Sequence, residues 1–371
     1  MARTASTERT DWYAEVTAQI VSELEALQVS PKGWKKPWTG LWKNGLPVRA
    51  SGDNFTGINV WLLVLVAAKN GYTDPRWFTF DQAMEACGFT RNSAWKGKCD
   101  TFKGVQKWNW AGEGEAPKGL GVNKGEKGTH VVRVNPIPVF MEGTTRVYPP
   151  KATAPDGVKL AWKAALASGR IRQTGSYVSV TSYVVFNAQQ ITGLKGMEVP
   201  VVDPAAKYAS AALMLETIGA KVVHVNGLDM ASYSPTRDII TLPEPGQFSS
   251  VEDYWGTCLH EVIHWTGHAS RLDRTTGIRG TDEYAREELV AELGAAFLCA
   301  HLGIEGNLQH PEYLSAWIRV LNEDSKAVVK AASAASKAMN YILSGGDAFA
   351  AETDEQTAGE TTDEQAQEVA A

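Results

Sequence analysis

Near the start of the chain, Trp12, Val16, Ile20, Leu24 and Leu27 recur every three or four residues over 9–28, the spacing of a helix with one buried face. A Pro-, Gly- and Trp-rich stretch follows over 30–49. The run VWLLVLVAAKNGY, starting at Val60, is apolar all round and predicts a buried helix ended by Gly71. DPRWFTF (74–80) then leads into a short helix, DQAMEACG. Residues 90–121 have little periodicity and read as a loop-like insertion that leaves Trp95, Trp108 and Trp110 available. A glycine turn feeds an alternating strand over 121–140, and SYVSVTSYVVF (176–186) alternates again. Between them, 141–175 is rich in Pro, Ala, Gly and Lys and reads as a connection with a short helix near 158–168. The remaining pattern predicts a helix at about 204–219, a strand over 221–226, a hairpin over 231–243 and helical runs over 257–268, 284–298 and 311–343. Within the hairpin, Ile239-Ile240-Thr241 reads either as an exposed edge that would hold a peptide backbone or as a paired core strand.

Length, at 371 residues, adds an expectation of two domains. Four cysteines without a CxxC pair predict reduced thiols and a cytoplasmic setting. The longest apolar run, 60–68, is too short to span a bilayer, and no membrane association is expected. Charge is uneven: residues 1–150 hold 19 Lys and Arg against 14 Asp and Glu, although the whole chain has a net charge of −6. Nine of the thirteen tryptophans fall in the first 110 residues. Cations for phosphates and rings for unpaired bases are what a single-stranded nucleic-acid surface needs, but the same tryptophans also suit a core. Lys35, Lys36 and Trp38 in the first loop are candidate contacts, as are Lys124 and Lys127 in the NKGEKG turn, which reads equally as a plain hairpin turn. From Asp347 onward there are eight acids and no base, which predicts a disordered acidic tail.

The chemistry concentrates in TCLHEVIHWTGH (257–268). His260 and His264 lie four apart on one helix face with Glu261 one step round, the HExxH constellation of the zincins. Two imidazoles on an ion leave room for a third protein ligand and a water, for which Glu261 would be the general base. A metzincin would place its next histidine where Ser270 stands, so that subclass is excluded. Downstream, YAREELVAELGAAFL (284–298) places Glu288 and Glu292 on one face, with Tyr284 a turn earlier. This gluzincin arrangement makes Glu288 the third ligand and Glu292 the carboxylate that orients a ligand histidine; Glu287 is the neighbour most easily confused with Glu288. His268 is a further ligand or orienting candidate, and Tyr284 or Tyr233 a candidate oxyanion donor. Zn2+ is the expected ion, with Mn2+ the alternative.

Taken together, the chain resembles the ArdC family of plasmid-borne antirestriction proteins over roughly 10–345, and in its first half the N-terminal part of plasmid transfer primases. The resemblance rests on PW at 37–38, TGIN at 56–59, DPRWFTFDQA at 74–83, NKGEKGTHVV at 123–132, YVVFNAQQITGL at 183–194, YSPTRDIITLP at 233–243, LHEVIHWTGHASRLDR at 259–274 and YAREELVAELGAAFL at 284–298. It implies an α+β protein of two domains: a single-stranded-DNA-binding domain over 8–145, interrupted by the insertion at about 90–121, and a zincin-like metallopeptidase domain over 176–345. A linker over 146–175 joins them, and an acidic tail over 346–371 follows. Asn59, Arg76 and Trp77, inside the shared motifs, join the expected DNA contacts. Protection of incoming plasmid or phage DNA from host restriction is the implied function. The alternatives are a DNA-coating protein with a structural metal and a DNA-localised protease that cleaves a host protein.

Overall fold

The computed structural model describes residues 45–95, 101–102, 105–151, 153–194, 204–274, 277–304 and 314–347, with scattered helical positions between 14 and 25. The helix expected over 9–28 is represented only by those positions. Lys35, Lys36, Trp38 and the tail beyond Asp347 lie outside the described residues. The strands are β1 (Val48–Arg49), β2 (Arg76–Phe78), β3 (Phe89–Arg91), β4 (Thr101–Phe102), β5 (Val105–Gln106), β6 (Trp108–Trp110) and β7 (Gly121–Val122). They continue with β8 (Thr129–Glu142), β9 (Thr145–Val147), β10 (Ile171–Asn187), β11 (Ile191–Thr192), β12 (Val222–Val225), β13 (Ser232–Ser234) and β14 (Ile239–Pro243). The helices are α1 (Ile58–Asn70), α2 (Phe80–Ala86), α3 (Asp156–Ala167), α4 (Pro204–Ile218), α5 (Val251–Thr266), α6 (Asp282–Leu302), α7 (Leu314–Glu323) and α8 (Ala327–Leu343). The fold is α+β, and among the described residues no helix is long and apolar enough to cross a membrane.

Chain packing separates two compact units, one gathering Met1–Thr129 with Val184–Ala371 and the other formed by His130–Tyr183. The stretch 146–175, expected as a linker, is folded: it holds the end of β9, all of α3 and the start of β10. Within the second unit, α3 is anchored by Trp162, whose ring meets Phe140 of β8 edge-on at 5.4 Å. β8 and β9 form an antiparallel hairpin in the register Phe140↔Val147, Met141↔Arg146.

In the first unit, α1 forms because its apolar run has no polar face to spare: every residue from Ile58 to Leu65 is buried. It ends at Gly71, where φ is +70°. The expected loop over 90–121 is partly paired, since β3 and β6 pair antiparallel in the register Phe89↔Trp110, Arg91↔Trp108. Its tryptophans are used internally. Lys107 lies 5.4 Å from the ring centroids of both Trp95 and Trp108, and its ammonium reaches Asp81 at 3.1 Å.

Strand order β12-β14-β13 puts β14 in the centre, parallel to β12 and antiparallel to β13. The edge-strand reading of Ile239-Ile240-Thr241 is therefore corrected: Ile240 and Leu242 are fully buried, and both sides of β14 are hydrogen-bonded. α5 lies against this sheet, and α6 packs on α5 and α8. α5 starts where the Ser250 hydroxyl accepts from the Asp253 N–H, with Glu252 and Asp253 on the positive end of the helix dipole. Thr281 caps α6 in the same way, and Gly303 ends it at φ +68°. Where the two helices cross, Gly294 is needed: a Cβ there would lie 2.7 Å from Ile263 Cδ1. That close approach faces the histidines of α5 towards the glutamates of α6.

Candidate metal centre

One helical turn brings the Nε2 atoms of His260 and His264 to 3.1 Å, with the rings crossing at 78°. Glu288 reaches across from α6, placing Oε2 3.6 Å from His260 Nε2 and Oε1 3.4 Å from His264 Nε2. One ligand atom from each residue lies within 4.8 Å of the other two, the only such metal-competent group among the described residues. Two imidazole nitrogens about 2.05 Å from a tetrahedral ion would stand about 3.3 Å apart, so the separation fits a shared divalent ion. The donor set, two imidazoles and a carboxylate, fits as well. His260 and Glu288 are buried, and Glu261 is only 7% exposed. Among the described residues, no hydrogen bond or ion pair engages the Glu261 carboxylate.

Each histidine has its own carboxylate behind it. Glu292 Oε1 lies 3.9 Å from His260 Nδ1, a through-space contact rather than a hydrogen bond. Glu287 Oε1 lies 3.4 Å from His264 Nδ1 and is itself gripped by Arg274, whose Nη2 donates to it at 2.9 Å and whose Nε donates to Oε2 at 3.2 Å. The same guanidinium donates to the Ile263 carbonyl at 2.7 Å and the Thr266 hydroxyl at 2.8 Å, closing the end of α5. Sequence reading set Glu287 aside and did not single out Arg274. The Glu-Glu pair at 287–288 was a signal, but its two members make different contacts: Glu287 meets His264 Nδ1 and Arg274, and Glu288 meets the Nε2 atoms of both histidines.

Burial disfavours charge on His264, Glu287 and Glu288, yet their partners outweigh it. Glu287 and Glu288 push the His264 imidazolium up to about 10. The histidines hold Glu288, and His264 with Arg274 holds Glu287, below the usual carboxylate range. The signs follow by linkage. A carboxylate lowered from 4.5 contributes stability that is full above pH 4.5 and lost as pH falls through its folded value. An imidazole raised from 6.5 to about 10 contributes stability that is full below pH 6.5 and lost as pH rises through 10. With metal chelated, the cluster's contribution should be complete only between roughly pH 4.5 and 6.5. Melting temperatures measured across pH in EDTA check this; a flat difference between wild type and Glu287→Gln over the whole range would contradict it.

The other candidates divide. Tyr284 is half-buried one turn before Glu288. Tyr233 is committed elsewhere: its hydroxyl donates to Asp238 at 2.9 Å and accepts from Arg271 at 3.0 Å, and burial pushes its phenol up to about 12. That leaves it as a pin between the sheet and the segment after α5 rather than an oxyanion donor. His268 is also corrected. Its Nδ1 faces the Ser270 hydroxyl at 2.8 Å and accepts the Ser270 N–H at 3.1 Å, so it belongs to the turn after α5 and not to the ligand cluster.

Among the expected DNA contacts, Trp77 is 1% exposed and packs edge-on against Tyr72 in the core, so no base can stack on it. Asn59 is buried in α1. The Arg76 fork is held by Asp74 through bonds of 2.9 and 2.6 Å, which satisfies locally the charge that a phosphate would use. Lys124 and Lys127 are exposed. Their turn is pinned by Gln190, whose amide donates to Glu126 at 2.8 Å and to the Lys127 carbonyl at 3.0 Å, and by Thr192, which donates to Asn123 at 2.6 Å.

Comparison with known proteins fits this geometry. Residues 10–146 match the N-terminal domain of anti-restriction factor ArdC, and residues 209–334 match a zincin-like metallopeptidase. The crystal structure of the antirestriction ArdC protein from plasmid R388, metal-free, is 29% identical, with a TM-score of 0.63 over 91% of this chain and 98% of that one. Its Mn(II)-bound form gives 28% identity and a TM-score of 0.60 over 92% and 100%. A DNA primase TraC of Escherichia coli is 32% identical over 335 residues, 89% of this chain, which spans only 20% of the primase. With both domains in succession and an ArdC structure matching nine-tenths of its length, the chain belongs to the ArdC family of antirestriction proteins.

Proposed function

We propose that this protein binds single-stranded DNA and carries a metal-dependent peptidase-type site, and that it protects incoming DNA from host restriction. The observation that carries the proposal is the buried group of His260, His264 and Glu288, whose ligand atoms converge within 4.8 Å beside Glu261. His260, His264 and Glu288 would hold a divalent ion, Zn2+ or Mn2+. Bound there, it supplies Lewis-acid polarisation of a carbonyl and of water. Glu261 takes the proton from the attacking water and returns it to the leaving amine. Arg274 and Glu287 fix the His264 ring so that Nδ1 faces the carboxylate and Nε2 faces the ligand group. Glu292 stands 3.9 Å behind His260 Nδ1 and makes no hydrogen bond to it.

The reading is tested on the whole protein by two measurements. Titration with Zn2+ and with Mn2+ should give one tight site per chain that is lost in His260→Ala. Binding to a labelled single strand should exceed binding to the matching duplex and weaken as salt rises. A chain that takes up neither ion, or that prefers the duplex, would overturn the corresponding half.

A further inference from the structure

The unit His130–Tyr183 carries seven Lys and Arg against two acids, in a chain that elsewhere holds 29 against 40. Both acids are matched internally, Glu142 by Arg170 at 3.0 Å and Asp156 by Lys159 at 3.7 Å. Arg146, Lys151, Lys163 and Arg172 are exposed. In the β8–β9 hairpin, Phe140 and Val147 are partners on the face that Trp162 of α3 meets. Arg146 alternates with Val147 and therefore lies on the opposite face, and Tyr148 follows Val147 immediately after the strand. Tyr148 is 70% exposed, and the Arg146 guanidinium sits 5.2 Å from its ring centroid.

We propose that this unit is a docking arm for single-stranded nucleic acid, with Arg146 and Lys151 on phosphates and the Tyr148 ring stacked on an unpaired base. The inference rests on the single-strand reading above and places part of that binding in a segment read from sequence as a linker. The chemistry selects the strand: the unit's charge, opposite in sign to the rest of the chain, attracts a polyanion, and an exposed ring beside a cation suits a free base face. A base inside a duplex offers no such face.

The test uses the full chain, an oligothymidylate and a duplex of equal length, each followed by fluorescence anisotropy across a salt series. Tyr148→Ala should weaken oligothymidylate binding by about tenfold and leave its salt slope unchanged. The double variant Arg146→Gln, Lys151→Gln should lower the slope by about 1.4, because each lost single-strand phosphate contact removes about 0.7. Wild-type affinity and slope in both variants would overturn the arm while leaving the chain's single-strand binding standing. Equal losses on the duplex would overturn the choice of a single strand. No binding by wild type would overturn both the arm and the reading beneath it.

Discussion

Glu261→Gln should reduce peptide hydrolysis by about a hundredfold to ten-thousandfold while metal content and melting temperature stay at their wild-type values. Glutamine matches glutamate in shape and adds no charge to a position that is 7% exposed, so the fold has little reason to respond. The proposed ligands His260, His264 and Glu288 remain in place, and only the capacity of residue 261 to accept a proton is lost. Single-turnover hydrolysis of a fluorogenic peptide mixture reads the effect; an undiminished rate would mean that the base lies elsewhere. The same variant separates the two ways of protecting DNA. Protection of a conjugated plasmid that survives in Glu261→Gln would favour coating of the strand, and its loss would favour cleavage of a host protein.

Arg274→Met carries the second large effect. The guanidinium is the common partner of Glu287, the Ile263 carbonyl and the Thr266 hydroxyl, and Glu287 is 4% exposed. Removing the cation leaves a buried carboxylate facing only a histidine. The expected loss is about 3–5 kcal/mol in denaturant unfolding. Metal affinity should fall by about 10- to 100-fold, since the His264 ring loses its fixed orientation. Adding Glu287→Gln to Arg274→Met removes the stranded charge and should restore much of the stability without restoring metal affinity. Recovery of both together would show that the pair acts on the fold alone.

The two histidines and Glu261 were legible because helical spacing is a local property: four residues make one turn wherever the helix sits. Glu288 needed one further step, a glutamate on a second helix, and that step also met the ambiguity with Glu287. α6 is buried on nearly every side, so adjacent glutamates both find partners in the centre, and a rule that assigns one face to one task cannot separate them. Arg274 lies between the helices and has no periodic signature. Edge or centre is a property of the whole sheet, so Ile239–Thr241 could not be placed before its neighbours were known. Trp77 failed as a DNA contact for a similar reason, because a tryptophan suited to stacking is equally suited to filling a core. The short helix expected near 158–168 is present as α3, but its packing could not be read: the partner of its Trp162, Phe140, lies in a distant strand, so the Pro-, Ala-, Gly- and Lys-rich stretch around it passed for a connection.

The Thr17 hydroxyl donates to the Ser325 carbonyl at 2.7 Å, the Gly57 N–H donates to the Ser336 hydroxyl at 2.7 Å, and α1 packs on α8. Thr17 falls within the stretch matched to the ArdC N-terminal domain, and Ser325 within the stretch matched to the zincin-like metallopeptidase. Two segments named as separate domains thus share one interior. A recombination event that exchanged either alone would bring a foreign surface to α1 or α8 and leave leucines and alanines facing water. Selection should therefore pass the pair on intact, as a single cassette, and the 335-residue match to the much longer TraC primase, which covers 89% of this chain, has the extent such a cassette would have.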